Sequence, residues 1–123
     1  MGFPSPAMDY MEDRIDLNKE LMPHPLSTFI FKYEGDAMIN AFIPPRALLL
    51  VDRSVTAKTG DIVLAVIDGE YTVRYLQKND FKCKLIAANR KYKDIEVTFE
   101  MNMTVWGVVT AVISKPNELK CML

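Results

Sequence analysis

The sequence is poor in the residue types that hold metals, form disulfides or cross membranes. It has two cysteines, Cys83 and Cys121, and one histidine, His24, and their spacing matches no zinc motif. We therefore expect no metal, no cofactor and two free thiols. The longest apolar runs, 47–51 and 105–113, are too short or too interrupted to span a bilayer. With no leader peptide visible, the expected compartment is the cytoplasm.

An excess of basic residues is also missing. Fifteen lysines and arginines stand against sixteen acidic residues, which leaves a formal charge of −1. A protein that grips duplex DNA is normally basic, because its affinity comes largely from neutralised phosphates. Strong direct DNA binding is therefore not expected, and the basic residues between Lys82 and Lys93 are interpreted as a solvated surface.

The residues that are abundant indicate a globular domain. The chain has 123 residues, 50% of them apolar, with a mean hydropathy of +0.03. A domain of this size buries roughly two-thirds of its unfolded surface, which is enough for a core without disulfides or metals. The eight methionines are interpreted mainly as flexible core filler.

The chain divides into three parts. Residues 1–27 are expected to form an extended N-terminal arm, because Pro4 and Pro6 interrupt it and its start lacks a periodic apolar pattern. A short helical turn is predicted over 15–22, where two leucines are four positions apart. Residues 28–114 are expected to form a β domain, and 115–123 a loosely ordered tail.

Short strands at regular spacing dominate the middle part. They are predicted over 28–33, 47–52, 61–67, 70–77, 81–88, 95–99 and 104–113. Asp68-Gly69 between two of them is a strong signal for a two-residue hairpin turn. Gly107 within the last strand predicts a bulge or a close contact. The fold class is therefore all-β and barrel-like.

Two segments carry the most specific functional information: Gly35-Asp36-Ala37-Met38-Ile39 and Tyr71-Thr72-Val73-Arg74. The first resembles the nucleophile motif, and the second the general-base strand, of the LexA/UmuD family of self-cleaving bacterial SOS proteins. The interval from Ala37 to Arg74 matches the serine-to-lysine interval of that family. Further resemblance, in the family's order and spacing, lies in 2–7, 9–10, 14–18, 49–52, 60–63, 68–73 and 106–109. The arm and Asp16-Leu17-Asn18 favour the UmuD branch.

The resemblance implies a single LexA/UmuD-like β-clip peptidase domain whose catalytic pair is not intact. In a Ser/Lys peptidase, a neutral lysine takes the serine proton and the alkoxide attacks a peptide carbonyl. Ala37 at the serine position has no oxygen, and Arg74 at the lysine position stays protonated. We therefore expect no enzyme activity, and a remnant cleft that includes Gly35, Asp36 and Met38.

Other residues give weak support for replacement chemistry. Asp36 is interpreted as a turn-forming residue, and His24, between two prolines, as an exposed loop residue. The remaining candidate hydroxyls and amines have no suggestive spacing; they are Ser27, Thr28, Ser54, Lys32, Lys58 and Lys78.

The resemblance also implies partners. Processed UmuD forms a homodimer that joins UmuC, a Y-family polymerase, in the error-prone DNA polymerase V, acting with RecA filaments and the sliding clamp. Dimer contacts are expected at strand edges and along 104–109, including Val105 and Trp106. Phe3 and Tyr10 are candidate partner contacts on the arm. Phe42 is a further candidate, although packing into the cleft is favoured for it.

Because the residue after Met1 is the glycine that would follow the family's cleavage bond, the expected form is the processed one. The leading hypothesis is a non-catalytic UmuD-like accessory subunit for translesion synthesis. Two alternatives stay open. One is a catalytically dead decoy that forms mixed dimers with active relatives. The other is a Ser/Lys endopeptidase, either still active or inactivated by substitution.

Overall fold

The computed structural model describes residues 14–118, so the predictions for Phe3, Tyr10 and Cys121 lie outside it. This part of the chain forms one short helix, α1 (Leu17–Leu21), and seven strands. The strands are β1 (Thr28–Lys32), β2 (Leu48–Asp52), β3 (Ile62–Ile67), β4 (Glu70–Lys78), β5 (Cys83–Ile86), β6 (Ile95–Glu96) and β7 (Met103–Ile113). Two 3₁₀ turns follow β1 and β7, at Ile39–Ala41 and Pro116–Glu118.

All described strands pair antiparallel in one sheet with the order β1-β2-β7-β3-β4-β5-β6. The all-β prediction is confirmed. Although β2, β7 and β3 separate β1 from β4, the rings of Phe31 and Tyr71 lie 5.6 Å apart. The sheet therefore curls and brings β1 close to the start of β4. β4 pairs with β5 only from Tyr75 onward, so within the described residues its edge over 70–74 has no neighbouring strand.

The central part of the sheet is buried on both faces. Val63, Leu64 and Ala65 are consecutive on β3, and their side chains alternate between two core clusters. β2 contributes to the core along almost its whole length, as its continuous apolar run predicts.

Gly107 allows β7 to pass close to β2. Leu64 pairs with Gly107 and Ala65 with Val105, so Trp106 is an extra residue at a bulge. A Cβ on Gly107 would lie 2.6 Å from Val51 Cγ1. Both the bulge and the close contact predicted for this glycine are confirmed.

The β3–β4 hairpin turns through Asp68 and Gly69, as predicted. Their φ angles are 49° and 87°, and a two-residue type I′ turn needs positive φ at both positions. Asp68 also forms two hydrogen bonds with Asn102. The Asp68 N–H donates to the Asn102 carbonyl at 2.9 Å, and the Asp68 carboxylate accepts from the Asn102 N–H at 3.1 Å.

Two strands, β5 and β6, are shorter than predicted by three or more residues. β5 begins at Cys83, because the Asn79 side chain accepts hydrogen bonds from the N–H groups of Phe81 and Lys82 and holds them in a turn. β6 ends at Glu96, where its pairing with β5 stops. Phe81 and Phe99, placed in strands by the sequence pattern, are instead exposed in loops.

The helix is a single turn on the surface. Asp16 caps it by accepting a hydrogen bond from the Asn18 N–H at 3.0 Å. Leu17 is exposed, so the leucine pair that predicted the helix does not direct it toward the core. No helix within residues 14–118 has the length and apolar character to cross a bilayer.

Candidate functional site

Ala37 lies in the turn that follows β1, and this turn fixes its position. Ala37 and Met38 are buried, and the loop after β5 holds their backbone from the side. The Ala88 N–H donates to the Ala37 carbonyl at 2.8 Å, and the Asn40 N–H donates to the Ala88 carbonyl at 2.9 Å. The turn is therefore fixed by two strand-like hydrogen bonds as well as by its own 3₁₀ geometry.

Asp36 joins the same loop through its side chain. Its carboxylate accepts a hydrogen bond from the Tyr92 hydroxyl and contacts the Lys91 ammonium at 3.3 Å. These two partners, Tyr92 first, hold the pKa of Asp36 below its ordinary value. The same hydrogen bond raises the pKa of the Tyr92 phenol. Asp36 connects two segments of the fold, and its oxygens are occupied in doing so.

Arg74 lies on β4, opposite Val63 of β3. Its guanidinium donates from Nη1 to the Val73 carbonyl at 2.7 Å and lies 5.3 Å from the centre of the Tyr92 ring. Its Nε is buried and has no hydrogen-bond partner among the described residues.

Ala37 and Arg74 line one cavity of about 290 Å³. The fold therefore brings together the two positions that the motif spacing singled out. Phe31, Tyr33, Gly35, Tyr71 and Tyr92 are also in the lining, along with Lys32, Glu34, Thr72 and Val73. Of the residues assigned to the remnant cleft, Gly35 lines this cavity. Asp36 lies beside it with its carboxylate engaged, and Met38 is in the core.

Tyr33 is a feature of this cavity that sequence reasoning missed. It is 6% exposed, and its hydroxyl has no hydrogen-bond partner among the described residues. Burial raises the pKa of the phenol, while Arg74 and the backbone N–H groups of Ala37 and Met38 oppose that rise. Only the tertiary fold shows that Tyr33, four residues before Ala37, turns back toward the same space.

The lining contains one amine and one aliphatic hydroxyl, Lys32 and Thr72. Lys32 is exposed, whereas a general-base lysine is kept neutral by burial. The other hydroxyls and amines considered from sequence are outside the lining of this cavity: Ser27, Thr28, Ser54, Lys58 and Lys78. Residues 14–118 contain no cluster of three or more potential metal ligands.

A second polar cluster, around Asp52, was also missed. Asp52 is 1% exposed. Its Oδ1 accepts hydrogen bonds from the Ser54 N–H at 2.8 Å and the Ser54 hydroxyl at 2.6 Å, and its Oδ2 lies 2.7 Å from His24 Nδ1. Ser54, followed by His24, lowers the pKa of the carboxyl group. Although the His24 side chain is 55% exposed, it ties the segment before β1 to the sheet.

The residues proposed as partner contacts fall into different environments. Phe42 is 89% exposed, so the favoured idea that it packs into the cleft is wrong. Its left-handed conformation (φ 63°) after the 3₁₀ turn directs it away. Val105 packs against a core cluster. Trp106 is half-buried, with the Arg53 guanidinium 4.3 Å from its ring centre.

Residues 104–109, where dimer contacts were expected in addition to the strand edges, do not themselves lie at an edge of the sheet. β7 lies inside the sheet, paired with β3 over 103–108 and with β2 over 108–113. The strands at the ends of the described sheet are β1 and β6. A buried, continuous apolar strand gives the same sequence pattern whether or not it lies at an edge.

The all-β fold, with Ala37 and Arg74 in one cavity, indicates the class of protein to which the chain belongs. A model of the Peptidase S24-like family matches residues 1–110, and the chain belongs to that family, which confirms the expectation from the motifs. Among its relatives is Protein ImpA of Salmonella typhimurium, 38% identical over 120 residues, which are 97% of this chain and 81% of ImpA. Protein SamA of Salmonella typhimurium strain LT2 is 38% identical over 93% of this chain and 79% of SamA. Protein MucA of Escherichia coli is 36% identical over 89% of this chain and 75% of MucA.

Proposed function

We propose that this chain is a non-catalytic, homodimeric accessory protein of the bacterial SOS response. It supports translesion synthesis by a Y-family polymerase of the DNA polymerase V type. The observation that carries the proposal is the shared cavity of Ala37 and Arg74. In the family frame, these are the positions of the serine and the lysine, and neither side chain can perform its part of the reaction.

The chemistry of the cavity supports a role without peptide cleavage. A methyl group cannot attack a carbonyl, and a guanidinium is not deprotonated in proteins. Thr72 and Lys32 are the remaining aliphatic hydroxyl and amine in the lining, and Lys32 is exposed to water. A threonine without a neutral base beside it is a poor nucleophile.

The similarity to ImpA, SamA and MucA supports the accessory role, because it extends over most of this chain and most of each relative. Such a role depends on exposed contact surfaces. Phe42 is one, and the outer edge of β1, with Ile30 exposed, is another. An apolar edge strand is a natural site for pairing between two copies, so we assign the dimer contact to β1.

Co-purification tests this proposal. The tagged chain is recovered from cells after DNA damage, and bound proteins are identified together with their stoichiometry by native mass spectrometry. We expect two copies of the chain with one Y-family polymerase. Recovery of mixed dimers with an S24-like relative, and of no polymerase, would instead favour the decoy hypothesis.

The non-catalytic part has its own test. The purified chain is incubated with a full-length relative such as ImpA, and fragments are followed by mass spectrometry. We expect no more cleavage, at neutral or alkaline pH, than the relative shows when it is incubated alone. Cleavage that is present with the natural chain and lost in the Arg74→Met variant would contradict the proposal, since it would assign a reaction to this cavity.

A further inference from the structure

The Ala37–Arg74 cavity contains two polar groups that the fold leaves unsatisfied. They are Nε of Arg74 and the hydroxyl of Tyr33, both buried and without a hydrogen-bond partner among residues 14–118. Leaving a buried polar group unpaired destabilises the fold, and more so when the group is charged. Both groups belong to residues that line the cavity, so they are a reason to look for a ligand that satisfies them.

The groups that lower the pKa of the Tyr33 hydroxyl are donors or cations. The backbone N–H groups of Ala37 and Met38 act on the Tyr33 hydroxyl, as does the positive charge of Arg74. A hydroxyl can donate as well as accept. Because Ala37 has only a methyl group, the space above its backbone stays within the cavity.

The charges of the lining favour an anion. Lys32 and Arg74 are cationic, and Glu34 is the one acidic residue among the lining residues. Asp36, next to the cavity, already has its carboxylate paired with Tyr92 and Lys91. The lining therefore has one positive charge more than it has negative charges.

The position and size of the cavity favour a small group at the end or side of an extended chain. It lies between β1 and the part of β4, 70–74, that pairs with no strand on its outer side. Its volume of about 290 Å³ is at the small end of ligand pockets, which span about 300–1,000 Å³. A carboxylate on a peptide fits this size, since the rest of the peptide can lie along the β4 edge over 70–74, which the dimer contact assigned to β1 does not use.

We propose that this cavity is a carboxylate-binding pocket, in which the Arg74 guanidinium and the Tyr33 hydroxyl hold the two oxygens of a peptide carboxylate. The planar guanidinium matches a carboxylate in geometry as well as in charge, which a lysine at this position would not. The substitution that removes the general base thereby supplies an anion receptor. This inference rests on the groups of the cavity, and it holds whether or not the partner of the protein is a polymerase.

Short peptides distinguish the two sources of such a carboxylate. The probes are N-acetyl-tetraalanine with a free C-terminus, the same peptide as a C-terminal amide, and an amide with glutamate at its second position. Binding is followed on the full chain by nuclear magnetic resonance, using the N–H signals of Ala37 and Met38 and the Nε–H signal of Arg74. We expect saturable shifts with the free acid or with the glutamate peptide, and at least about tenfold weaker binding of the neutral amide.

Matched variants connect the binding to this cavity. Arg74→Met should weaken carboxylate binding about tenfold or more, whereas Arg14→Met, which removes the same charge from an exposed residue outside the lining, should not. Tyr33→Phe provides a second variant that keeps the aromatic ring, and it should weaken binding by a smaller factor. Equal binding of the acid and amide peptides, no binding of any of the three, or unchanged affinity in both cavity variants would overturn the proposal.

Discussion

Two polar clusters on this one sheet are built in opposite ways. At Asp52 both carboxylate oxygens have partners, from Ser54 and His24. In the Ala37–Arg74 cavity, the Tyr33 hydroxyl and Arg74 Nε have none among the described residues. A buried polar group with its hydrogen bonds made stabilises the fold, and one without them costs stability. We therefore interpret the Asp52 cluster as stabilising the fold, and the unpaired groups of the cavity as part of the candidate site.

The backbone is also packed more tightly in the Asp52 region than beside the cavity. Next to Asp52, β7 approaches β2 so closely that only glycine fits at position 107. Beside the cavity, Gly35 faces the hydroxyl end of Tyr33, with room beyond it. A Cβ at position 107 would meet backbone and several side chains, whereas the three atoms nearest to a Cβ at position 35 all belong to the Tyr33 side chain.

Replacing each glycine with alanine tests this difference and should give the largest effect. In Gly107→Ala the new Cβ would meet Val51 Cγ1 at 2.6 Å and the Asp52 carbonyl at 3.2 Å, so we expect a loss of about 2–3 kcal/mol. In Gly35→Ala the contact is 2.9 Å to the Tyr33 hydroxyl, which can move into the cavity, so the loss should stay below about 1 kcal/mol. Urea unfolding midpoints measure both. Equal losses would show that the cavity is as tightly packed as the sheet.

Removing the Asp52 carboxylate should have the next largest effect. Asp52→Ala leaves the Ser54 N–H and hydroxyl and the His24 ring without their shared acceptor, and we expect a loss of about 2 kcal/mol. Asp80→Ala, at an exposed residue, is the matched control and should change the stability by less than about 0.5 kcal/mol. A similar small change in both variants would mean that the Asp52 cluster contributes little to folding.

Removing the Tyr33 hydroxyl, which has no partner among the described residues, should raise the free energy of unfolding instead of lowering it. Tyr33→Phe keeps the ring in the core and deletes an oxygen that has no partner among residues 14–118, so we expect a gain of up to about 1 kcal/mol. The same unfolding measurement applies, without ligand. A loss of more than about 1 kcal/mol would show that the hydroxyl is satisfied in the free protein, and it would remove one support of the carboxylate pocket.

The contrast between these regions also marks what the sequence could predict. Local patterns were enough for the hairpin at Asp68-Gly69 and for the bulge at Gly107, because turn geometry and strand alternation depend on neighbouring residues. The pairing of positions 37 and 74 came from motif spacing within a known family frame. The carboxylate at Asp52 and its partner His24 are 28 residues apart, and no periodicity connects them.

What the sequence could not predict has the same origin. The sequence of β7 reads as a long apolar strand, and only its neighbours β2 and β3 show that it is internal. Packing into the cleft was favoured for Phe42, but Phe42 itself adopts a left-handed conformation after a 3₁₀ turn and is exposed. Side-chain direction depends on backbone angles that composition does not specify.

Acidification provides the finest comparison and should give the smallest effect. The pKa values of Asp36 and Asp52 are both below the ordinary aspartate value in the folded chain. For such groups the added stability is complete above the unfolded pKa, about 3.9, and it is lost as the pH falls through the folded pKa, because unfolding then takes up protons. Each group contributes at most about one proton to this pH dependence.

We expect the stability of the parent chain to fall more steeply below about pH 4 than that of Asp52→Asn, which lacks the titrating group. Asp36→Asn should flatten the curve less, because Asp36 and its partners are more exposed and water screens their interaction. Urea unfolding at a series of pH values, at constant ionic strength, measures the two slopes. A larger flattening by Asp36→Asn than by Asp52→Asn would contradict this comparison. It would mean that the Asp36 contacts with Tyr92 and Lys91 contribute more acid-sensitive stability than the buried Asp52 cluster.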